Sequence, residues 1–254
     1  MVMRNALLAG FLAFGMLACD DGGSDGGGGG SGGGGAVDQG VPMGGTVDTF
    51  SFTELSLEEP AALSTILNNL LNSNLNAGAI IILMQLDGWN GSGAIRLRGG
   101  AGTQVAGLDT PANFADDGFT WLTEGECANA DGTTRPCSVQ ISEQGGTQTG
   151  DDFEMTGGEI FIYSEDLKLI IPIKALTLRG TRTGDAVAAT LEGVITDADA
   201  AETRFKLNPN AAMPTDLKTL LNGVRIMPDT DLDGAPAYTF SGTFSAELVT
   251  FVAP

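Results

Sequence analysis

The stretch "YTFSGTFSAELVTFV", residues 238 to 252, puts Tyr238, Phe240, Phe244, Ala246, Leu248 and Val252 on one parity and Thr239, Ser241, Thr243, Ser245 and Glu247 on the other. A period of two is that of a strand with one buried and one wet face. Further strands are predicted at "VDTFSF" from 47, "AIIILMQL" from 79, "GAIRLRG" from 93, "FTWLTEG" from 119 and "CSVQISEQ" from 137. Three more follow at "EIFIYS" from 159, "LKLIIPIKALTLRG" from 167 and "AVAATLEGVIT" from 186. Turn sequences such as "DGWNGSG" and "RTGD" separate them at hairpin-like intervals.

Helical periodicity is scarce. In "SLEEPAALSTILNNLLNSNLNAG" Ser56 is a candidate cap, Glu58 and Glu59 precede Pro60 in the first turn, and Gly78 is placed to stop the helix. Leu63, Ile66, Leu67, Leu70, Leu71 and Leu75 form its apolar stripe. Shorter helices are predicted from Asp197 and over residues 215 to 223. Because the helices cluster near the two ends and do not alternate with strands, a parallel sheet is disfavoured. The predicted fold is mainly β with a few helices (α+β), an antiparallel β-sandwich or partly open barrel capped by the N-terminal amphipathic helix. It is placed in one globular domain over residues 46–254, and a body of that length buries roughly 70% of its unfolded surface without metals or staples.

Ahead of that body the pattern changes twice. Residues 1–18, "MVMRNALLAGFLAFGMLA", carry Arg4 and then an apolar run, too short to span a bilayer but suited to an export signal. Residues 20–45 are dominated by glycine, whose conformational entropy nothing nearby offsets, so they read as a flexible tether with an end-to-end distance of about 25–30 Å. Between them, Met16-Leu17-Ala18-Cys19 resembles the lipobox of bacterial lipoproteins, with Met16 where leucine is usual and Leu17 where alanine or serine is commoner. The resemblance implies that Cys19 receives diacylglycerol, becomes the mature N-terminus and is N-acylated. Two or three acyl chains, at about 0.8 kcal/mol per buried methylene, make attachment effectively permanent. Asp20 is similar to the inner-membrane retention signal of enteric lipoproteins, but the expected address is the outer membrane. The plan of lipobox, tether and β-rich body resembles uncharacterised envelope lipoproteins of Gram-negative bacteria.

Charge and composition remove whole classes of function. With 32 acidic residues against 12 basic ones the net charge is −20, which repels nucleic acid and anionic surfaces. The absence of histidine eliminates Ser-His-Asp and Cys-His catalysis and the commonest transition-metal ligand. Cys127 and Cys137 bracket a turn centred on Gly132 and are expected to form a disulfide in the oxidising compartment that export implies.

Few candidates for chemistry survive. Asp229, Asp231 and Asp233, followed by Gly234, resemble the first half of calcium loops, in which alternating carboxylates converge on one cation. Phe240 stands where an EF-hand has its bidentate glutamate. Asp116-Asp117, Asp151-Asp152, Glu124 and Glu126 are the carboxylates a glycoside hydrolase would need. The "GGAG" at 99–102 lacks the lysine and helix of a phosphate loop, and Ser24 and Ser31 match the nucleophile-elbow pattern only inside the tether. Trp89 and Trp121 are candidates for sugar stacking, and Asn90 heads a glycosylation sequon that a bacterial lipoprotein would not normally use.

The resulting expectation is a lipid-anchored envelope protein with a non-enzymatic binding or interaction role. Its partners would be the membrane and an envelope protein, glycan or apolar ligand; no cofactor is required, and calcium is the one metal the pattern would take. The alternatives are a carrier holding a lipid or other apolar molecule between sheet and helix, and a carboxylate-based hydrolase.

Overall fold

A computed structural model describes residues 46–105, 118–208 and 210–253. All of them belong to one compact unit. The chain forms β1 (Thr46–Glu59), helix α1 (Ala61–Asn76), β2 (Ile82–Trp89), β3 (Ser92–Gln104), β4 (Gly118–Trp121), β5 (Glu124–Ala128) and β6 (Thr134–Ser138). It continues through β7 (Ser142–Thr149), β8 (Asp152–Thr156), β9 (Glu159–Ser164), β10 (Leu169–Thr183), β11 (Ala186–Thr196), α2 (Asp197–Glu202) and β12 (Arg204–Phe205). The last elements are β13 (Thr215–Asp216), α3 (Leu217–Gly223), β14 (Thr230–Leu232), β15 (Ala235–Leu248) and β16 (Thr250–Phe251).

Eight strands close a ring in the order β1, β2, β3, β7, β8, β10, β11, β15 and back to β1, every pair antiparallel. Chain order and ring order coincide, so the fold is an up-and-down barrel. The predicted antiparallel, mainly β architecture is therefore present, in its closed form. Closure leaves the ring without a free sheet edge. One end carries only tight turns, at Asn90-Gly91, Gly150-Asp151 and Gly184-Asp185, and β1 also starts there, with Thr46 opposite Trp89. All the insertions lie at the other end: α1, the β4–β6 segment, the β9 hairpin, and the run from α2 to β14.

Alternation places Phe50, Met84, Leu97, Phe153, Leu178, Leu191, Phe240 and Phe244 inside, all buried. In β1 the inward parity switches from Phe50 and Phe52 to Leu55 and Leu57, because a bulge between Phe52 and Glu54 shifts the register against β15. Gly242 takes an inward position that no larger residue fits: a Cβ there would lie 2.4 Å from the Ser56 carbonyl oxygen. The outward face carries Glu54, Asp152, Glu154, Arg179 and Glu192, the reverse of a bilayer-spanning barrel, whose outer band is apolar. Among the described residues no helix is long and apolar enough to cross a membrane.

Two stretches depart from simple alternation for physical reasons. In the run from Ile80 to Met84 both parities are apolar because both faces are covered: Ile82 and Met84, like Leu86, face the barrel, while Ile81 and Leu83 lie under Phe119 of β4 and Val249. The predicted last strand is accordingly two, since β15 stops at Leu248 and β16 runs parallel to β4; Val252 is 40% exposed.

The Ser56 cap is a correction. β1 runs on to Glu59, Ser56 pairs with Thr243 of β15, and α1 begins only at Ala61, whose N–H donates to Glu59 Oε2 at 2.9 Å. Sheet pairing outcompetes an isolated hydroxyl cap. The stop is as predicted, with Gly78 at φ 71° just past the last turn. Leu63, Leu67, Leu71 and Leu75 form the buried stripe, whereas Ile66 is 50% exposed. The α1 helix also completes the sheet. β2 pairs with β1 only over Thr46–Ser51, leaving the far half of that edge open. There Asn68 Oδ1 accepts from Leu57 N–H at 2.6 Å and its Nδ2 donates to Leu57 C=O at 3.1 Å. Asn72 does the same for Leu55, at 3.0 and 2.8 Å. Four residues of helix rise about 6.0 Å and two residues of strand about 6.8 Å. Two amides spaced i, i+4 therefore match backbone groups spaced i, i+2, and α1 stands in for a ninth strand.

Candidate functional site

The barrel interior is the natural place to seek a ligand seat, and its two ends differ. The turn end is plugged. Arg182, on the inward parity of β10, pairs with Asp48 at 2.6 Å and lies over the rings of Phe50 and Trp89 at 5.2 and 5.4 Å from their centroids. Trp89 meets Phe153 edge-on at 6.2 Å. Buried Gln148 of β7 braces the β2–β3 turn, its Oε1 accepting from Asn90 and Gly91 N–H and its Nε2 donating to Gly88 C=O. Trp89 is thus a wall of the barrel floor and not an exposed stacking platform. Trp121 packs on Phe251 on the outer layer, at 5.7 Å between centroids.

The insertion end is apolar with a polar edge. Phe52, Met84, Leu97, Met155, Leu176 and Leu178 surround a void of about 10 Å³, edged by Ser142, Gln144 and Glu159. That space holds about one water-sized sphere, so the interior is filled by side chains. Above it the β9–β10 hairpin and α1 cover the mouth, with Ile160, Ile162, Leu169, Ile171 and Ile173 joining the leucines of α1 in the core. Both legs of this hairpin bend where they leave the wall. Gly157 and Gly158 have φ of 85° and 100°, and Ala175, in a bulge of β10, has φ of 49°, a conformation uncommon for a residue with a side chain.

Glu159 sits at this edge. Burial pushes its carboxyl above the ordinary glutamate value, and Asp199 adds to the shift while Lys174 opposes it. A carboxyl raised on folding disfavours the folded state once it ionises, so its unfavourable contribution appears as pH rises through the glutamate range and disappears in acid. We expect Glu159→Gln to raise Tm at pH 7 by about 1–2 °C and to leave Tm unchanged at pH 4. A scan in which the variant is equally destabilised at both pH values would refute this. Asp197 behaves oppositely: hydrogen bonds from Lys218 and Tyr238, at 2.6 and 2.9 Å, hold it below the ordinary range. Its contribution is present at neutral pH and is lost on acidification. The Tyr238 hydroxyl, desolvated and bonded to Asp197, is pushed up to about 12. Tyr163 is likewise pushed up to about 12 by burial and by Glu165, and its oxygen accepts from Glu126 N–H at 2.9 Å. Tyr238 clamps α2 onto β15 and Tyr163 joins the β9 hairpin to β5; Tyr238 also borders a space of about 210 Å³ with Glu59 and Asp229.

A broad depression of about 870 Å³ lies on the outer wall, where Glu54, Thr147, Asp152, Arg179, Thr190 and Thr243 come from six neighbouring strands. It is open, with a mixed polar and apolar lining, and two of its carboxylates are engaged: Glu154 with Arg179 at 3.0 Å and Asp152 with the Thr181 hydroxyl at 2.6 Å.

The remaining sequence candidates fall as follows. Cys19, Asp20 and Asp116-Asp117 lie outside the described residues. Cys127 and Cys137 are disulfide-bonded, their Cα atoms 5.7 Å apart, in the β5–β6 hairpin whose turn contains Gly132 at φ 86°. Loss of the bond in a Cys127→Ser/Cys137→Ser variant is expected to cost about 2–3 kcal/mol and to make this hairpin the first site of proteolytic cleavage. Glu126 is paired with Lys168 at 3.0 Å, and Asp151 and Asp152 sit at the β7–β8 turn, so the hydrolase carboxylates are spread over separate elements. Asp229, Asp231 and Asp233 lie along the β14–β15 hairpin, which turns at Asp233-Gly234 with φ of 53° and 82°. Asp229 Oδ1 accepts from Thr239 N–H at 2.8 Å and Asp231 Oδ1 from Gly234 N–H at 3.3 Å. Two of the three carboxylates thus accept the hairpin's own backbone N–H groups; among the described residues no three acidic or cysteine side chains form a metal-holding group. Calcium held by this hairpin in the native state would make Tm fall on addition of a chelator, and a Tm unchanged by the chelator would exclude it.

Sequence reasoning passed over Arg182, Gln148, Asn68 and Asn72. The signal for the first was a lone arginine on the apolar parity of a strand. No protein-family model matches the chain, and no curated protein or solved structure shows significant similarity to it.

Proposed function

We propose that this protein is a lipid-anchored envelope protein whose barrel binds and carries an apolar or amphipathic molecule without transforming it. The observation that supports this most is the asymmetry of the closed barrel. One end is plugged by Arg182, Asp48 and Trp89; the other is lined by flexible apolar side chains, edged by Ser142, Gln144 and Glu159, and covered by a hairpin bent at Gly157, Gly158 and Ala175. An apolar pocket with a few polar groups at its rim is the usual form of a small-molecule site. Because the interior is filled, an acyl chain or similar ligand enters by displacing Met84 and Met155, whose unbranched side chains repack at low cost. A polar head would remain at Gln144 and Glu159.

The expected anchor at Cys19 fits this reading. β1 begins at the turn end of the barrel, opposite the covered mouth. Native mass spectrometry of the detergent-extracted protein, with titration of a fluorescent fatty-acid analogue, tests the proposal. Saturable binding abolished by Met155→Trp is expected; no copurifying lipid and no saturable binding would end it. The filled interior favours a second reading, an interaction module that uses its outer wall, and that reading predicts intact partner crosslinking when the fluorophore fails to bind.

A further inference from the structure

Cations are scarce in this chain, and most are already neutralised. Of the 12 lysines and arginines, all but Arg4 lie among the described residues, and seven of these are held in ion pairs. Arg135, Arg204, Lys206 and Arg225 form no ion pair among the described residues. In a protein of net charge −20, an arginine without a carboxylate partner is the exception. Two of the four line the same cleft. Arg135, on β6 of the disulfide-stapled hairpin, and Arg204, on β12, border a space of about 190 Å³ together with Asn129, Ala130, Ala201 and Glu202.

Two carboxylates on the neighbouring elements are committed elsewhere. Asp216, opposite Arg204 in the β12–β13 register, caps α3 by accepting from Thr219 N–H at 2.7 Å and from the Thr219 hydroxyl at 2.8 Å. Asp131, in the β5–β6 turn, accepts from Thr133 N–H at 3.0 Å and from the Thr133 hydroxyl at 2.6 Å. Glu202 at the cleft is exposed and joins no ion pair. Both walls are fixed: the Cys127–Cys137 bond ties the strand opposite Arg135, and Lys206 N–H donates to Leu167 C=O at 3.1 Å to hold the end of β12.

We propose that this cleft binds a phosphate group, with the Arg135 and Arg204 guanidinium forks contacting its oxygens. Two always-charged planar donors suit a tetrahedral dianion, and a guanidinium is more weakly hydrated than an ammonium, so it gives up water for the contact at lower cost. The space, about 190 Å³, admits a phosphate together with part of what it is attached to. The group would come either from free phosphate or from a phosphomonoester lipid headgroup, and the barrel interior has no part in it.

The test uses the full chain and calorimetric titration with inorganic phosphate. Saturable binding is expected, weakened about tenfold by Arg135→Gln and by Arg204→Gln. Glu202→Gln, which removes the one negative charge at the cleft, should tighten it, and Arg225→Gln, an unpaired arginine outside the cleft, should leave it unchanged. Circular dichroism confirms folding of each variant, and Arg→Lys exchanges, expected to retain part of the binding, provide a second set. Cosedimentation with phosphatidic acid vesicles against phosphatidylcholine vesicles separates the sources, since any anchor contributes equally to both. Retention on phosphatidic acid that Arg204→Gln abolishes identifies a headgroup, and equal retention with intact phosphate binding identifies the free ion. Absence of saturable binding in both arms, or binding indifferent to Arg135 and Arg204, would overturn the proposal.

Discussion

An Asn68→Ala/Asn72→Ala variant is expected to lose about 3–5 kcal/mol of stability, and each single variant about half of that. The two amides are the hydrogen-bond partners of the N–H and C=O groups of Leu55 and Leu57 along the open half of β1, so alanine leaves four backbone groups without their protein partners. Leu55 and Leu57 are buried at 1% and 2%, which keeps water from substituting freely. Alanine also has the higher helix propensity, by roughly half a kcal/mol per site, so the loss appears against a gain within α1 itself. Asn69→Ala is the control: Asn69 is exposed, and its replacement should change stability by less than about 0.5 kcal/mol. Urea denaturation of the four variants decides the matter. If the double variant loses less than 1 kcal/mol, the amides do not seal the barrel edge and α1 is held by its leucines alone.

Phe244→Ala is the second large effect, about 3–5 kcal/mol. The ring is 2% exposed and stacks on Phe52 with centroids 4.1 Å apart and planes 7° apart. It joins β15 to β1 at the point where the β1 bulge switches the inward parity, so truncation removes packing from both strands. The cost should exceed that of Phe251→Ala, whose ring is half-buried on the outer layer. Equal losses for the two would mean that the barrel interior and the outer layer contribute alike.

Legibility along the chain followed local contrast. β15 and β11 read cleanly because each buries one face and wets the other, and the buried stripe of α1 read from Leu63, Leu67, Leu71 and Leu75. β7 was the opposite. "SEQGGTQT" has no apolar residue at all, yet it closes the ring between β3 and β8, with Ser142, Gln144, Gly146 and Gln148 on its inward parity. Its strand character comes from two flanking ladders and from Gly146, where a Cβ would lie 2.6 Å from the Glu154 carbonyl oxygen. The aspartates at 229, 231 and 233 carried an ambiguous signal, because alternation has the same appearance on a cation loop and on a strand ending in an Asp-Gly turn. The arginine cleft had no sequence signature, since Arg135 and Arg204 are far apart in the chain and become neighbours only when β5, β6 and β12 pack together.

The sequence by itself determined the antiparallel, mainly β character of the body, the alternation of β11 and β15, the leucine stripe of α1 and the pairing of its two later cysteines. Each is a local property, set by the period of apolar positions or by two residues facing each other across one turn. Tertiary structure decided that the sheet closes, which end is plugged, and which polar side chains are spent within the fold. Those outcomes depend on contacts between residues far apart in the chain, where a glutamine, an asparagine or an arginine acquires its partner only after the barrel has formed.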